Sequence, residues 1–205
     1  MSRPSGLMRS ATLIVAITAW AGLAVQLHAS VEATGSLFSA LWMMLLYFTV
    51  LTNIVVALLF AALAGGWRAS PRLVGGVTLA IMLVGAIYHS LLSGLLDLSG
   101  GAALADVLLH TLTPIFVLLW WIVFAPKGGL TWRDPLVWAL FPLAYLGYGL
   151  ARGAQGGRYP YPFMNVSALG WTQTLLNAAA IAIGFVVAGY MLCAIDRRLS
   201  RSRSR

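Results

Sequence analysis

Residues 104–124 read LADVLLHTLTPIFVLLWWIVF. As an α-helix this run would be about 31 Å long, at about 1.5 Å per residue, which matches the roughly 30 Å of hydrocarbon in a bilayer. It is apolar almost throughout, yet its first half contains an aspartate and a histidine four residues apart. The stretch therefore predicts a membrane-spanning helix that carries two ionisable side chains.

The composition of the whole chain fits the same class of protein. Of the 205 residues, 60% are hydrophobic and 9% are charged, and the mean hydropathy is +0.89. Soluble domains carry about 25% charged residues, and disordered chains are poor in apolar residues. Both classes are excluded, and we predict an all-α polytopic membrane bundle built as a single domain, 1–205.

Six apolar runs are candidates for spanning helices. The fifth is short and contains Pro142, so we expect a kinked or incomplete span there. The predicted spans are 11–27, 37–63, 73–96, 104–124, 136–150 and 168–195, followed by a basic tail, 196–205.

The arginines and lysine set the predicted orientation, because these residues accumulate on the cytoplasmic side of short loops. A cytoplasmic N-terminus leaves only Arg152 and Arg158 outside, so both termini should be cytoplasmic. The residues then placed inside are Arg3, Arg9, Arg68, Arg72, Lys127, Arg133, Arg197, Arg198, Arg201, Arg203 and Arg205. The tail is expected to lie against anionic head groups. In the alternative, the first run is a cleaved signal peptide and five spans remain, but its length of about 17 residues favours retention.

The net charge of +8 does not indicate nucleic-acid binding. The basic residues lie at the ends of apolar runs and in the tail, without the interleaved aromatic residues that stack bases. No metal or cofactor is predicted either. The three histidines lie on different segments, Cys193 is the single cysteine, and no nucleotide-binding fingerprint is present.

The strongest chemical signal is the pair Asp106 and His110. An aspartate one helical turn before a histidine can accept the Nδ1 proton and leave Nε2 free as a base. This is the orienting half of a catalytic relay, which lacks only a nucleophile. In the structural alternative, Asp106 is a carboxylate that the helix dipole favours in a first turn.

Thr49, on the second run, is the candidate nucleophile. Depths counted from the outer ends of the spans are about 18 Å for Thr49 and about 10 Å for His110, a difference that helix tilt can partly absorb. Asn53, His89 and Asn177 add polar groups at compatible depths, which predicts one polar pocket opening outward. Each also has a structural alternative, since threonine and asparagine often serve helix packing in membranes and His89 could be a core histidine.

Three short motifs occur in order along the chain: Phe48-Thr49 in the second run, His110-Thr111 followed by Pro114 in the fourth, and Tyr161-Pro162-Phe163 before the last. With the six-span frame, they resemble the FAR/androgen-induced-gene family of six-span membrane proteins, which has bacterial relatives. The resemblance covers the second through the sixth run, and a bacterial relative would lie in the inner membrane.

This resemblance implies an activity. Animal members hydrolyse fatty-acid esters of hydroxy fatty acids with an intramembrane threonine and a histidine, which correspond by motif position to Thr49 and His110. Membrane lipids and a lipid ester are then the expected partners, and Asn53 or Asn177 could donate to the oxyanion. The chain departs from the animal pattern at three positions, which bears on substrate identity: Thr52 replaces an aspartate, Val107 a second histidine and Asp106 an amide side chain.

Two other functions are compatible with a polar pocket in a membrane bundle. A small-solute transporter would line a path with the same groups, but spans two, four and six are apolar on the cytoplasmic side of the predicted pocket. A non-catalytic lipid-binding protein would use the pocket for recognition alone.

Overall fold

The computed structural model describes residues Gly6–Arg203, and within them the chain is helical, without a β-strand. Among these residues, four helices are long and apolar enough to cross a membrane: Gly6–Thr34, Pro71–Leu92, Gly100–Phe124 and Val166–Arg201. The all-α prediction is therefore confirmed, and the helices are compatible with an integral membrane protein. Arg3 and Arg205, used above for orientation, lie outside the described residues.

The second predicted span is not one straight helix. The structure has α2 (Leu37–Met44) and α3 (Phe48–Ala64), bent by 95° across a break of three residues. If this bent pair counts as one span, the total is five. The break also corrects the predicted depth of Thr49, because that residue lies in the first turn of α3 rather than in the middle of a continuous helix.

The fifth predicted span is not one continuous helix either. A short helix α7 (Asp134–Trp138) is followed by α8 (Leu140–Gly156), whose 17 residues fall just below the length of the four spanning candidates. Pro142 lies in the first turn of α8 and has no N–H to bond to the carbonyl of Trp138 four residues earlier, which is the residue at which α7 ends. Six continuous spans are thus not confirmed.

The described chain packs as two compact units. The first contains the residues up to Leu45 together with Thr49–Pro126, and the second contains Leu46–Phe48 and the residues from Lys127 onward. Besides α2 and α3, the first unit contains α1 (Gly6–Thr34), α4 (Pro71–Ile87), α5 (Gly100–Val107) and α6 (Thr113–Phe124). α9 (Val166–Arg203) belongs to the second.

In the first unit, α1 packs against α2, α5 and α6, and α4 packs against α6. Small residues allow close approach: a Cβ at Gly22 would lie 2.7 Å from the side chain of Leu109. Trp120 adds a buried polar link between α6 and α1, since its indole N–H donates to Thr12 Oγ1 at 2.9 Å. Ser70 caps α4 by accepting from the N–H of Leu73, with Pro71 at the first helical position.

The second unit is organised around α9 and the aromatic residues of Leu46–Phe48 and α8. The Tyr145 hydroxyl donates to the carbonyl of Leu46 at 3.0 Å, and its ring lies 5.0 Å from that of Phe48. Near the C-terminal end of α9, buried Asp196 accepts backbone N–H bonds from Gly128 and Leu130.

Large apolar side chains remain exposed on helices of both units. Ile17 on α1, Leu119 on α6 and Ile183 on α9 each expose half or more of their surface. Soluble monomers rarely present such extended apolar faces, whereas lipid-facing helices require them.

Candidate active site

Two π-helical turns contain both histidines of the predicted site. The first π-turn is Tyr88–Leu92, directly after α4, and the second is Leu108–Leu112, between α5 and α6. The N–H of Thr113 bonds to the carbonyl of Leu108. Pro114 has no N–H to bond to the carbonyl of His110 four residues earlier, so the regular α-helical pattern cannot continue there. Such π-turns are frequently found at functional sites.

The structure brings Thr49, His110 and Asp106 into one hydrogen-bonded chain. Thr49 Oγ1 lies 3.1 Å from His110 Nε2. On the other side of the ring, His110 Nδ1 lies 3.0 Å from Asp106 Oδ1 and 3.2 Å from the backbone carbonyl of Asp106. Both acceptors fix the proton on Nδ1, which leaves Nε2 unprotonated and able to accept the threonine proton.

The three side chains of this hydrogen-bonded path are mostly buried but remain partly accessible to solvent. The side chains of His110 and Asp106 are 18% and 16% exposed, and Thr49 as a residue is 7% exposed. Thr49 also lies in the first turn of α3, where the helix dipole concentrates partial positive charge. A negative charge that develops near its hydroxyl oxygen would be favoured there.

Tyr88 is a member of this cluster that the sequence reasoning did not select. Its hydroxyl donates to Asp106 Oδ2, and its ring stacks on the imidazole of His110 with centroids 4.2 Å apart. Tyr88 immediately precedes His89 in the third apolar run, so its position was readable. Its contact with Asp106 could not be predicted from the sequence, because that contact depends on how α4 packs against the second π-turn.

Asn53 cross-links the backbone at Thr49 to the backbone next to His110. Its fully buried amide nitrogen donates to the carbonyl of Thr49 at 2.9 Å and to that of Leu109 at 3.3 Å. Both amide hydrogens are thereby used, so in this arrangement Asn53 has none left for an oxyanion. The side chain instead ties the first turn of α3 to the residue preceding His110.

We expect Asn53→Ala to lower the free energy of unfolding by about 1 kcal/mol, the usual scale of interhelical hydrogen bonds in membrane proteins. Reversible unfolding in mixed micelles measures this loss. Thr78→Ala is the matched control, because Thr78 is also fully buried and its hydroxyl donates to the carbonyl of Val74 within its own helix. Equal stability of the Asn53 variant and the wild type would contradict a cross-linking role.

The remaining predicted residues are placed as follows. His89 is exposed, and its Nε2 lies 3.1 Å from Thr111 Oγ1 on the second π-turn. Asn177 belongs to the second unit, where its amide donates to the carbonyl of Phe163 and accepts from Gln173. Within the described residues, no three histidine, cysteine or acidic side chains form a group that could hold a metal ion.

Comparison with protein-family models, curated proteins and solved structures finds no match to this chain. The resemblance to the FAR/androgen-induced-gene family therefore stays a prediction from three short motifs.

Proposed function

We propose that this protein is an intramembrane hydrolase of lipid esters in which Thr49 is the nucleophile and His110 the general base. The observation that carries the proposal is the continuous path from Thr49 Oγ1 through the two ring nitrogens of His110 to Asp106. A nucleophile, a base within hydrogen-bond reach and a group that orients the base are the three parts that covalent acyl transfer needs.

The first half of the reaction forms an acyl-threonine. His110 Nε2 takes the hydroxyl proton as Thr49 Oγ1 bonds to the ester carbonyl carbon, and the carbonyl oxygen becomes an oxyanion. When the tetrahedral intermediate collapses, the ester C–O bond breaks and His110 returns its proton to the leaving alcohol. Asp106 stabilises the imidazolium that exists between these two proton transfers.

The second half uses water. His110 removes a proton from a water molecule, whose oxygen attacks the acyl carbon, and the bond to Thr49 Oγ1 then breaks with return of the proton to threonine. The products are a carboxylic acid and an alcohol. These steps use side chains and water, so the proposal includes no metal or cofactor.

The proposed substrate is a lipid because the site belongs to helices with apolar, exposed faces. An ester within the bilayer can approach between helices, so that only its carbonyl group has to meet polar side chains. We further propose the six-span topology with both termini in the cytoplasm, which puts the π-turns in the outer half of the membrane and gives water access from outside.

Trapping of the intermediate tests the proposal. Purified protein in vesicles is given a long-chain fatty-acid ester of a hydroxy fatty acid with and without hydroxylamine, which competes with water for an acyl-enzyme. We expect the acid and the hydroxamate to form in a ratio set by the hydroxylamine concentration, because both products arise from the same acyl-threonine. Absence of turnover across a panel of lipid esters would contradict the hydrolase and favour a lipid-binding role. Flux of a solute across the vesicle would favour a transporter.

Asp106→Ala should reduce kcat by roughly 10²- to 10⁴-fold, because His110 loses the carboxylate that stabilises its imidazolium. Ester hydrolysis in vesicles measures the loss. Asp97→Ala is the control, since Asp97 is an exposed loop residue between the first π-turn and α5. An Asp106→Ala enzyme with wild-type kcat and an unchanged pH profile would remove Asp106 from the relay.

A further inference from the structure

We propose that Tyr88 is a positioning residue of this site, which holds the carboxylate of Asp106 in place and keeps the ring of His110 directed at Thr49. The inference rests on the proposed function and extends it by one residue, through two separate contacts. One contact is made by the hydroxyl and the other by the ring, so the two can be removed one at a time.

The hydroxyl completes the partners of the carboxylate. Asp106 Oδ1 faces His110 Nδ1, and Asp106 Oδ2 accepts the Tyr88 hydroxyl. An ionised carboxylate inside a membrane bundle is costly unless its oxygens are paired. Tyr88 therefore holds the second oxygen of Asp106, while the first oxygen faces the Nδ1 proton and can stabilise the imidazolium.

The ring fixes the plane of the imidazole. Tyr88 and His110 are stacked with an interplanar angle of 17°, so the aromatic face restricts rotation of the histidine about its side-chain bonds. The 3.1 Å approach of Nε2 to Thr49 depends on that orientation. Tyr88 opens the first π-turn, and the N–H of Ser93 bonds to its carbonyl at 2.8 Å, which holds the backbone in place.

Few other titratable groups face Asp106 from the elements packed around it. The first π-turn presents Tyr88 and His89, and the second presents His110. On α1, which packs against α5, His28 and Glu32 pair with each other and are 76% and 69% exposed. A change in the pH profile on removal of the Tyr88 hydroxyl therefore reports on Asp106 and on the two histidines whose rings contact Tyr88, His89 and His110.

Tyr88→Phe and Tyr88→Leu separate the two contacts. For Tyr88→Phe we expect kcat to fall about tenfold and the pH–rate profile to shift, because Asp106 loses one of its two side-chain partners. Tyr88→Leu should lose roughly a further tenfold as the stacked ring disappears. Tyr148→Phe is the matched control, since its hydroxyl is bound by Arg152 on the surface of α8, and it should match the wild type.

The outcomes distinguish this inference from the proposed function. If the wild type hydrolyses ester and Tyr88→Phe has the same kcat and the same pH profile, the positioning role is wrong while the hydrolase stands. A Tyr88→Phe enzyme that is less stable but has an unshifted profile also overturns it, because that result indicates packing alone. If the wild type has no turnover, the hydrolase fails and the role of Tyr88 fails with it.

Discussion

Thr49→Ala is expected to abolish ester hydrolysis and to lose covalent labelling by a fluorophosphonate. Removal of the nucleophile of a triad typically costs at least about 10³-fold in kcat, and no other hydroxyl lies on His110 Nε2 among the contacts of the described site. Labelling is followed by fluorescence in gels and hydrolysis by release of fatty acid. The variant should still fold, because Thr49 is a small residue whose replacement removes little packing.

Two variants make this result interpretable. Thr78→Ala removes a buried threonine hydroxyl from α4 and should label like the wild type. Thr49→Ser retains a hydroxyl next to His110 and should retain measurable labelling. If Thr49→Ala labels and turns over as fast as the wild type, Thr49 is not the nucleophile.

His110→Gln is expected to reduce hydrolysis by about 10³-fold or more, and to slow fluorophosphonate labelling at Thr49 to a similar degree. Glutamine approximates the volume of the imidazole but cannot take the hydroxyl proton, so the nucleophile is present without its base. The observed labelling rate constant over a series of probe concentrations measures this effect directly.

His28→Gln is the control for the histidine substitution. His28 is an exposed residue of α1 whose contact is with Glu32, so its replacement should leave the labelling rate unchanged. Size-exclusion chromatography in detergent verifies that both variants are folded. A folded His110→Gln protein with the wild-type labelling rate would contradict a general base at this position.

The long apolar helices could be predicted from composition because lipid-facing surface imposes apolar residues over the whole length of a helix. The break between α2 and α3 could not be predicted in this way. Residues 37–63 contain neither glycine nor proline, and their apolar pattern is continuous. One polar contact at the break is donated by the Tyr145 hydroxyl to the carbonyl of Leu46, and Tyr145 lies 99 positions further along the chain. A local pattern carries no information about such a tertiary contact.

In the candidate site, too, contacts within one helix could be predicted from the sequence, whereas contacts between helices could not. Asp106 and His110 could be paired from the sequence because a spacing of four residues places them on one face of a helix. Pro114 is likewise a readable reason for the second π-turn. The distance from Thr49 to His110, the two bonds of Asn53 and the stacking of Tyr88 each depend on the packing between helices, which spacing within one helix does not determine.

The most direct test of the account is to locate the covalent adduct. The wild-type protein is labelled with a fluorophosphonate, digested, and analysed by tandem mass spectrometry with full coverage of 37–63. We predict a single phosphonate adduct on Thr49, reduced in proportion to the labelling rate in His110→Gln. An adduct on any other residue, or active hydrolysis with Thr49 unmodified by saturating probe, would contradict it.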